Sequence, residues 1–353
     1  MNSKKWLKIF AILSFIGIMF VGGINWVMDP LWNFQHKLNY NNIQDGFNER
    51  QQKTNYVNSR YMNYDGVLLG SSRTTHINQN FFKNMNIFNY ASSSMRPYEY
   101  KGYIDFFKRK NLKKLKYIII GADFYGICKP KDVKFEEPEF YINKTESLGY
   151  RYKTLFSLDT LKYSLINIRN FYQGAKEYYD RNNIKYVSKV SEKERLKRYT
   201  KNLKRHTKSF MKPKYQYNTN LIPIYKSLKS DNPNTKIIIF TSPITADLLV
   251  SIIKNGDKLK EYEEWLKNMI NIFGEVYQFM DINSVTTNLQ NYPDDDHYYD
   301  NIAKLVANRI ANNDNPNIPG DFGILLNRYN IDGYIINFEK KLNNYKNPLE
   351  LNK

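Results

Sequence analysis

The chain alternates between continuous apolar runs and segments whose apolar residues recur at helical spacing. The first run, Ile9 to Met28, stands apart by its length. It matches the roughly 20 residues a helix needs to cross a bilayer. Asn25 is its one strongly polar residue, and Asp29 and Pro30 stop it. Lys4, Lys5 and Lys8 come before it. The positive-inside rule then predicts a cytoplasmic flank over 1–8, a transmembrane anchor over 9–28, and everything after Asp29 outside the cytoplasm. The competing reading is a cleaved signal peptide. Gly22-Gly23-Ile24-Asn25-Trp26 is a poor cleavage site for it, because the small-residue A-x-A-like pattern is missing. No second run of comparable length follows, so a single crossing is predicted.

Residues 29–62 read as a polar and aromatic membrane-proximal lead-in that packs on the main domain. Short apolar runs then predict buried strands at Gly66–Gly70, Ile87–Ala91, Tyr117–Gly121, Lys236–Thr241 and Val276–Met280. Helical spacing predicts helices at about 97–110, with Tyr100, Tyr103, Ile104 and Phe107 on one face, and at about 244–255 and 257–272. A last helix begins near Tyr298 and carries Ile302, Leu305, Val306 and Ile310. Fully apolar strands alternating with helices predict an α/β fold over 63–312, a parallel sheet covered on both faces. An insertion at about 128–232 reads as helical rather than stranded, and 313–353 as a C-terminal extension with a frayed polar tail from about Asn343.

A length of 353 residues suits one large α/β domain with an insertion, or two small domains. The formal net charge of +19 points to an anionic partner. No helix-turn-helix, zinc-finger or RNP-like pattern is present, which sets nucleic acid aside. An anionic envelope polymer or lipid headgroup suits a domain outside the membrane. Much of the charge lies between Arg181 and Lys214, which reads either as a solvated helix face or as a surface for anionic lipid or glycan. Cys128 is the sole cysteine. It allows neither an intramolecular disulfide nor a cysteine-based metal site, and reads as a small buried hydrophobe.

Two constellations carry chemistry. In Leu68-Leu69-Gly70-Ser71-Ser72-Arg73 a small polar loop follows a buried strand and precedes a helical segment. Sites in open α/β sheets form outside the carboxyl ends of strands, where a serine can present both its hydroxyl and its N–H. The alternative is a serine helix cap. In Tyr292-Pro293-Asp294-Asp295-Asp296-His297-Tyr298 a carboxylate lies three residues before one of the chain's four histidines. Asp294 can turn back onto one imidazole nitrogen of His297 and leave the other to take a serine proton. Here the alternatives are an acidic cap at Asp295 or Asp296, and a divalent metal site, which would lack a second histidine.

Together these residues resemble the SGNH (GDSL-like) hydrolase superfamily, whose Gly-x-Ser block is matched by Gly70-Ser71-Ser72 and whose Asp-x-x-His block is matched by Asp294 to His297. The resemblance covers roughly 64–125 and 234–312. It is strongest to the single-anchor envelope members of the D-alanine-transfer and alginate-O-acetylation type. It implies a three-layer, flavodoxin-like sheet, Ser72 as nucleophile, His297 and Asp294 as base and orienter, no cofactor, no metal, and work beside a membrane-bound O-acyltransferase. The middle blocks depart from the family. Asn89-Tyr90-Ala91-Ser92-Ser93-Ser94 lacks the usual glycine, leaving N–H groups near Ser92 or Ser93 as oxyanion donors, and Asp123 stands where an oxyanion-binding asparagine is usual. An ionised Asp123 would repel an oxyanion, so it pairs with Arg73, braces the loop or orients a substrate hydroxyl. Arg73 binds either a substrate anion or a structural carboxylate. His76 lines the cleft or packs in the core; His36 and His206 show no sign of chemistry. The expected function is serine-dependent acyl transfer or ester hydrolysis on an envelope glycan or teichoic-acid-like polymer. The alternative is a non-catalytic assembly or glycan-binding subunit. Catalysis requires the Ser72 and His297 side chains to lie within about 4 Å of each other.

Overall fold

A computed structural model of the chain describes residues 3–127, 135–210, 217–311 and 317–346; Cys128 and most of the polar tail lie outside them. In order, the first helices are α1 (Ser3–Met28), α2 (Glu49–Ser59), α3 (Ser72–Thr75), α4 (Pro97–Lys110), α5 (Pro138–Glu146), α6 (Tyr150–Leu155) and α7 (Leu158–Gln173). They are followed by α8 (Glu192–Phe210), α9 (Leu221–Ser230), α10 (Ala246–Val250), α11 (Leu259–Phe273), α12 (Asp300–Ile310) and α13 (Ile331–Asn344). The strands are β1 (Gly66–Gly70), β2 (Ile87–Asn89), β3 (Tyr117–Ala122), β4 (Glu177–Tyr179), β5 (Lys185–Val187), β6 (Lys236–Thr241), β7 (Glu275–Gln278) and β8 (Ile324–Asn327). The chain divides into two compact units, one from residues up to Met62 with Glu136–Ser188, the other from Asn63–Phe135 with Lys189 onward. The insertion read as one helical piece is thus shared between them. Its first half also contains a β-hairpin, β4 against β5, which the basic, tyrosine-rich sequence hid.

The second unit is the α/β unit. Its six-stranded sheet has the order β2-β1-β3-β6-β7-β8. The first five strands are parallel, and β8 runs antiparallel on β7. The residues of β1 are all buried, as are nearly all of β3 and most of β6, as expected of parallel strands covered on both faces. Leu68, Ile119 and Phe240 pack with Ile302, Val306 and Ile310 of α12. Two features differ from the sequence reading. β2 stops at Asn89, because the Ala91 N–H turns to the Asn89 side chain at 3.0 Å. And the C-terminal extension is structured: β8 extends the sheet, and Phe338 of α13 packs on Tyr262 with ring centroids 5.1 Å apart. The strand order reverses between β1 and β3, the switch point at which open α/β sheets form their crevice.

In the first unit, α1 is long and apolar enough to cross a membrane. The lead-in after it is built on polar contacts. Every residue from Glu49 to Val57 of α2 is buried despite their polarity. The amides serve main-chain carbonyls: Gln52 donates to Pro30 and Asp45 (2.9 and 2.8 Å) and Asn55 to Leu31 (2.8 Å). The turn that stops α1 is held from the hairpin. Arg181 donates to the carbonyls of Asp29 (3.0 Å) and Phe34 (2.9 Å), and its guanidinium lies 2.5 Å from the Asp29 carboxylate. That carboxylate also accepts the N–H groups of Asn33 and Phe34 at 2.8 and 3.0 Å.

Arg181→Ala would strand a buried carboxylate and two carbonyls, and is expected to destabilise the protein by about 3–5 kcal/mol. Arg181→Lys should recover only part of this, since a single ammonium cannot span all three acceptors. Thermal denaturation of the full chain in detergent reads both; an unchanged midpoint for Arg181→Ala would refute the assignment.

Candidate active site

β1 ends at Gly70, which is in register with Gly121 of β3. A Cβ on Gly70 would lie 2.2 Å from Thr74 Oγ1, and one on Gly121 2.1 Å from the same atom. The two glycines therefore form a slot for Thr74. Gly70 also has a φ of 150°, which side chains disfavour. With Thr74 seated there, the short helix α3 rests on the strand ends, and Ser72, its first residue, stays partly exposed.

Opposite lies the loop before α12. Asp294 Oδ1 accepts the N–H groups of Asp296 (3.0 Å) and His297 (2.8 Å), a local turn that curls the chain back on itself. The curl brings the His297 ring over its own carboxylates. Nδ1 lies 3.1 Å from Asp294 Oδ2 and 2.9 Å from Asp296 Oδ1, and Nε2 lies 2.9 Å from Ser72 Oγ. Asp294 thus takes the position expected from its spacing, and Asp296 stands beside it as a second carboxylate. The helix cap expected of Asp295 or Asp296 is not made: α12 starts at Asp300 with Tyr299 as its N-cap. Burial alone would push the His297 pKa down, but the carboxylates of Asp296 and Asp294 outweigh it and hold the pKa well above the usual imidazole value. Burial works against the Asp296 charge in turn, yet His297 and Arg73 keep its pKa well below the usual carboxylate range.

Arg73 is the hub of the ionic contacts. Its guanidinium lies 3.2 Å from Asp123 Oδ1 and 3.0 Å from Asp296 Oδ2, and its Nε–H donates to the Asp296 carbonyl at 2.9 Å. Arg73 and Asp123 are both buried. Of the two readings for Arg73, the structural ion pair is therefore the one formed, and Asp123 is paired rather than open to substrate. Ser71 is buried and caps α3, its hydroxyl accepting the Arg73 N–H at 3.4 Å. Ser92 is also buried. Its N–H donates to the Gly70 carbonyl at 3.1 Å and its hydroxyl to the Tyr90 carbonyl at 3.5 Å, which removes it as an oxyanion donor. Ser93 follows it in the same turn and is half-buried. The N–H of Ser72 belongs to the first turn of α3, where helix N–H groups have no intrahelical acceptor.

Two further histidines adjoin the site, His76, which its place after the Ser72 loop allowed, and His206, which no spacing pointed to. The His76 ring stacks on that of His297 at 5.1 Å, and its Nδ1–H donates to the Tyr298 carbonyl at 3.1 Å. His206, on α8, lies 2.7 Å through Nδ1 from Asp295 Oδ2, with Arg205 3.2 Å from its Nε2. α8 is further tied down by Arg195, which donates to the Leu289 carbonyl at 2.9 Å, and by the Tyr199 hydroxyl, which donates to Asp247. Its lysines at 193, 197, 201, 204 and 208 are exposed. His36 remains in the lead-in, against Trp26. His206, Asp295 and Asp296 form one cluster with donors suited to a cation, and Asp294, Asp296 and His297 another. Both share Asp296, whose Oδ2 already carries the Arg73 guanidinium, and that positive charge opposes a second cation at either.

Because His297 is held in its charged form to higher pH by two carboxylates, Asp296→Asn is expected to lower its pKa and carry the base-dependent rise of any activity to lower pH. Asp294→Asn should act in the same direction. The ring-proton resonances of the four histidines report this directly; a His297 titration unmoved by Asp296→Asn would show that the second carboxylate is not coupled to it. Comparison with family models finds no match to this chain, and the comparisons with curated proteins and with solved structures find none either.

Proposed function

We propose that this chain is a membrane-anchored serine acyltransferase or esterase of the SGNH type, working outside the cytoplasm on an envelope glycan or teichoic-acid-like polymer. The observation that supports this most is the 2.9 Å separation of Ser72 Oγ and His297 Nε2, with carboxylates on the far ring nitrogen. Nucleophile, base and orienter are then within bonding reach in the order that acyl transfer needs.

In this mechanism His297 takes the Ser72 proton as Oγ attacks an ester or thioester carbonyl. Asp294 and Asp296 stabilise the imidazolium that forms. The Ser72 N–H and the turn at Ser93 face the oxyanion, and pairing with Arg73 keeps Asp123 from opposing it. The tetrahedral adduct collapses, His297 gives its proton to the leaving group, and the acyl group stays on Ser72. A sugar or polyol hydroxyl, or water, then loses its proton to His297 and takes the acyl group. α1 holds the chain in the membrane, where a membrane-bound O-acyltransferase would be a natural supplier of acyl groups.

A second reading, a non-catalytic assembly or glycan-binding subunit, is favoured by one observation: the Ser92 N–H is taken by Gly70 and a carboxylate stands at Asp123, so the oxyanion site has few donors. A fluorophosphonate probe separates the two readings. The full chain in detergent should be labelled on Ser72, Ser72→Ala should abolish labelling, and His297→Ala should slow it by about 10²- to 10⁴-fold. A folded protein that does not react, or labelling that survives Ser72→Ala, would sink the catalytic reading.

A further inference from the structure

In the first unit, α7 carries its polarity reversed. A helix on a water-soluble domain buries its apolar stripe and shows its polar one. The residues α7 buries are Thr160, Ser164 and Asn167. Those it exposes include Leu158 (67% exposed), Leu165, Ile166 and Tyr172. Just before it, Leu148 is 96% exposed and Phe156 about half. Exposed apolar area of this extent marks a contact surface.

The contacts of α1 say what lies opposite. Asn25, the polar residue inside the apolar run, is buried, and its amide donates to the carbonyls of Leu155 (2.7 Å) and Ser157 (3.1 Å) while its carbonyl accepts from Ser164 Oγ (2.8 Å). Three hydrogen bonds therefore fix the α6–α7 corner at the depth of Asn25. One turn deeper, a Cβ on Gly22 would meet the Phe156 ring at 2.7 Å, so that ring packs against the helix at Gly22. Gly22 precedes Asp29 by about 10 Å of helix, which is the depth to which interfacial helices bed, about 5–10 Å into the headgroup and acyl boundary. The rim is cationic: Arg151, Lys153, Lys162 and Arg169 are exposed among the apolar residues, and long basic side chains at that level reach up to phosphates.

We infer that α6, α7 and the turns around them form a second membrane-contact surface, bedded in the outer leaflet beside the anchor, with phospholipid as its partner. This rests on reading α1 as the anchor. The surface continues the exposed apolar face of α1, where Phe20 and Trp26 are uncovered, and its polar inner face satisfies the one amide that lipid would not tolerate. The first unit would then be held at a fixed tilt and height over the bilayer instead of swinging on a single tether.

The test uses the full chain in nanodiscs of phosphatidylcholine and phosphatidylglycerol. Cys128 is replaced by serine, and one nitroxide is placed at a time through Leu158→Cys, Leu165→Cys, Phe20→Cys or Tyr329→Cys. Collisions with oxygen, which concentrates in lipid, are compared with those of a water-soluble nickel chelate. The labels at 158 and 165 should show an oxygen-over-nickel ratio several-fold above that at 329, approaching that at 20. An aqueous label at 20 would remove the anchor and this inference with it. A lipid-exposed label at 20 with aqueous labels at 158 and 165 would overturn this inference alone. Labels at 158 and 165 shielded from both reagents would mean that protein, such as a second copy, covers the surface, and would also overturn it.

Discussion

A buried guanidinium sits between two carboxylates that the chain brings together from more than 170 residues apart, Asp123 at the end of β3 and Asp296 before α12. The site gathers Asp123, Asp294, Asp295 and Asp296 around one serine. Like charges about 4 Å apart repel by about 4 kcal/mol even at an effective dielectric of 20, so four carboxylates do not share a crevice unaided. Arg73 lies between two of them, offsetting part of their repulsion, and fixes the Asp296 main chain as well. His206 takes a third, Asp295, which is fully buried and whose pKa burial pushes up. His297 takes the fourth. The Ser72 loop, the strand end and the His297 loop are joined by these pairings, since Arg73 is the residue after Ser72 and Asp296 the residue before His297.

This arrangement sets the balance of the proposed chemistry. A triad usually places one carboxylate on the base; here two reach the same nitrogen. The second stabilises the imidazolium before any reaction starts, so it raises basicity while lowering the fraction of neutral base near pH 7. A more basic His297 takes the Ser72 proton more readily and, as imidazolium, gives it up less readily. Arg73 tempers the effect by drawing on the same Asp296 carboxylate. An Asp at the end of β3 is tolerable beside the Ser72 loop only because Arg73 faces it.

What could be read from the sequence was local. The strands declared themselves as apolar runs, and Asp294 and His297 as an i, i+3 pair, because both signals lie within one or two turns of chain. Arg73 with Asp296, His206 with Asp295 and the Gly70–Gly121 slot each join segments far apart, and no spacing rule reaches across them. The oxyanion expectation at Ser92 failed for a reason of the same kind: its N–H was already engaged by Gly70 on the neighbouring strand. β8 went unseen because a run as short as Ile324 to Asn327 makes a strand only when β7 offers an edge. The hairpin of β4 and β5 was hidden by side chains that its burial pattern shows to be mostly partly exposed.

The two units of the chain obey opposite solvent rules, and this is the deepest division within it. In the α/β unit the apolar strands lie inside and the lysines of α8 outside, as water demands. In the first unit much of the inside is polar: the amides of Gln52, Asn55 and Asn25 bond to main-chain carbonyls beside the buried Trp32, Tyr56 and Ile142, while leucines and aromatics on α1 and α7 face out. Buried amides are stabilising only when fully paired, and these are paired to the loops that must turn tightly where α1 ends. A chain in water throughout would gain by inverting that unit. A chain that meets lipid on one side has no such gain, because hydrocarbon outside is as favourable to leucine as a core would be, and the polar groups have nowhere to go but in.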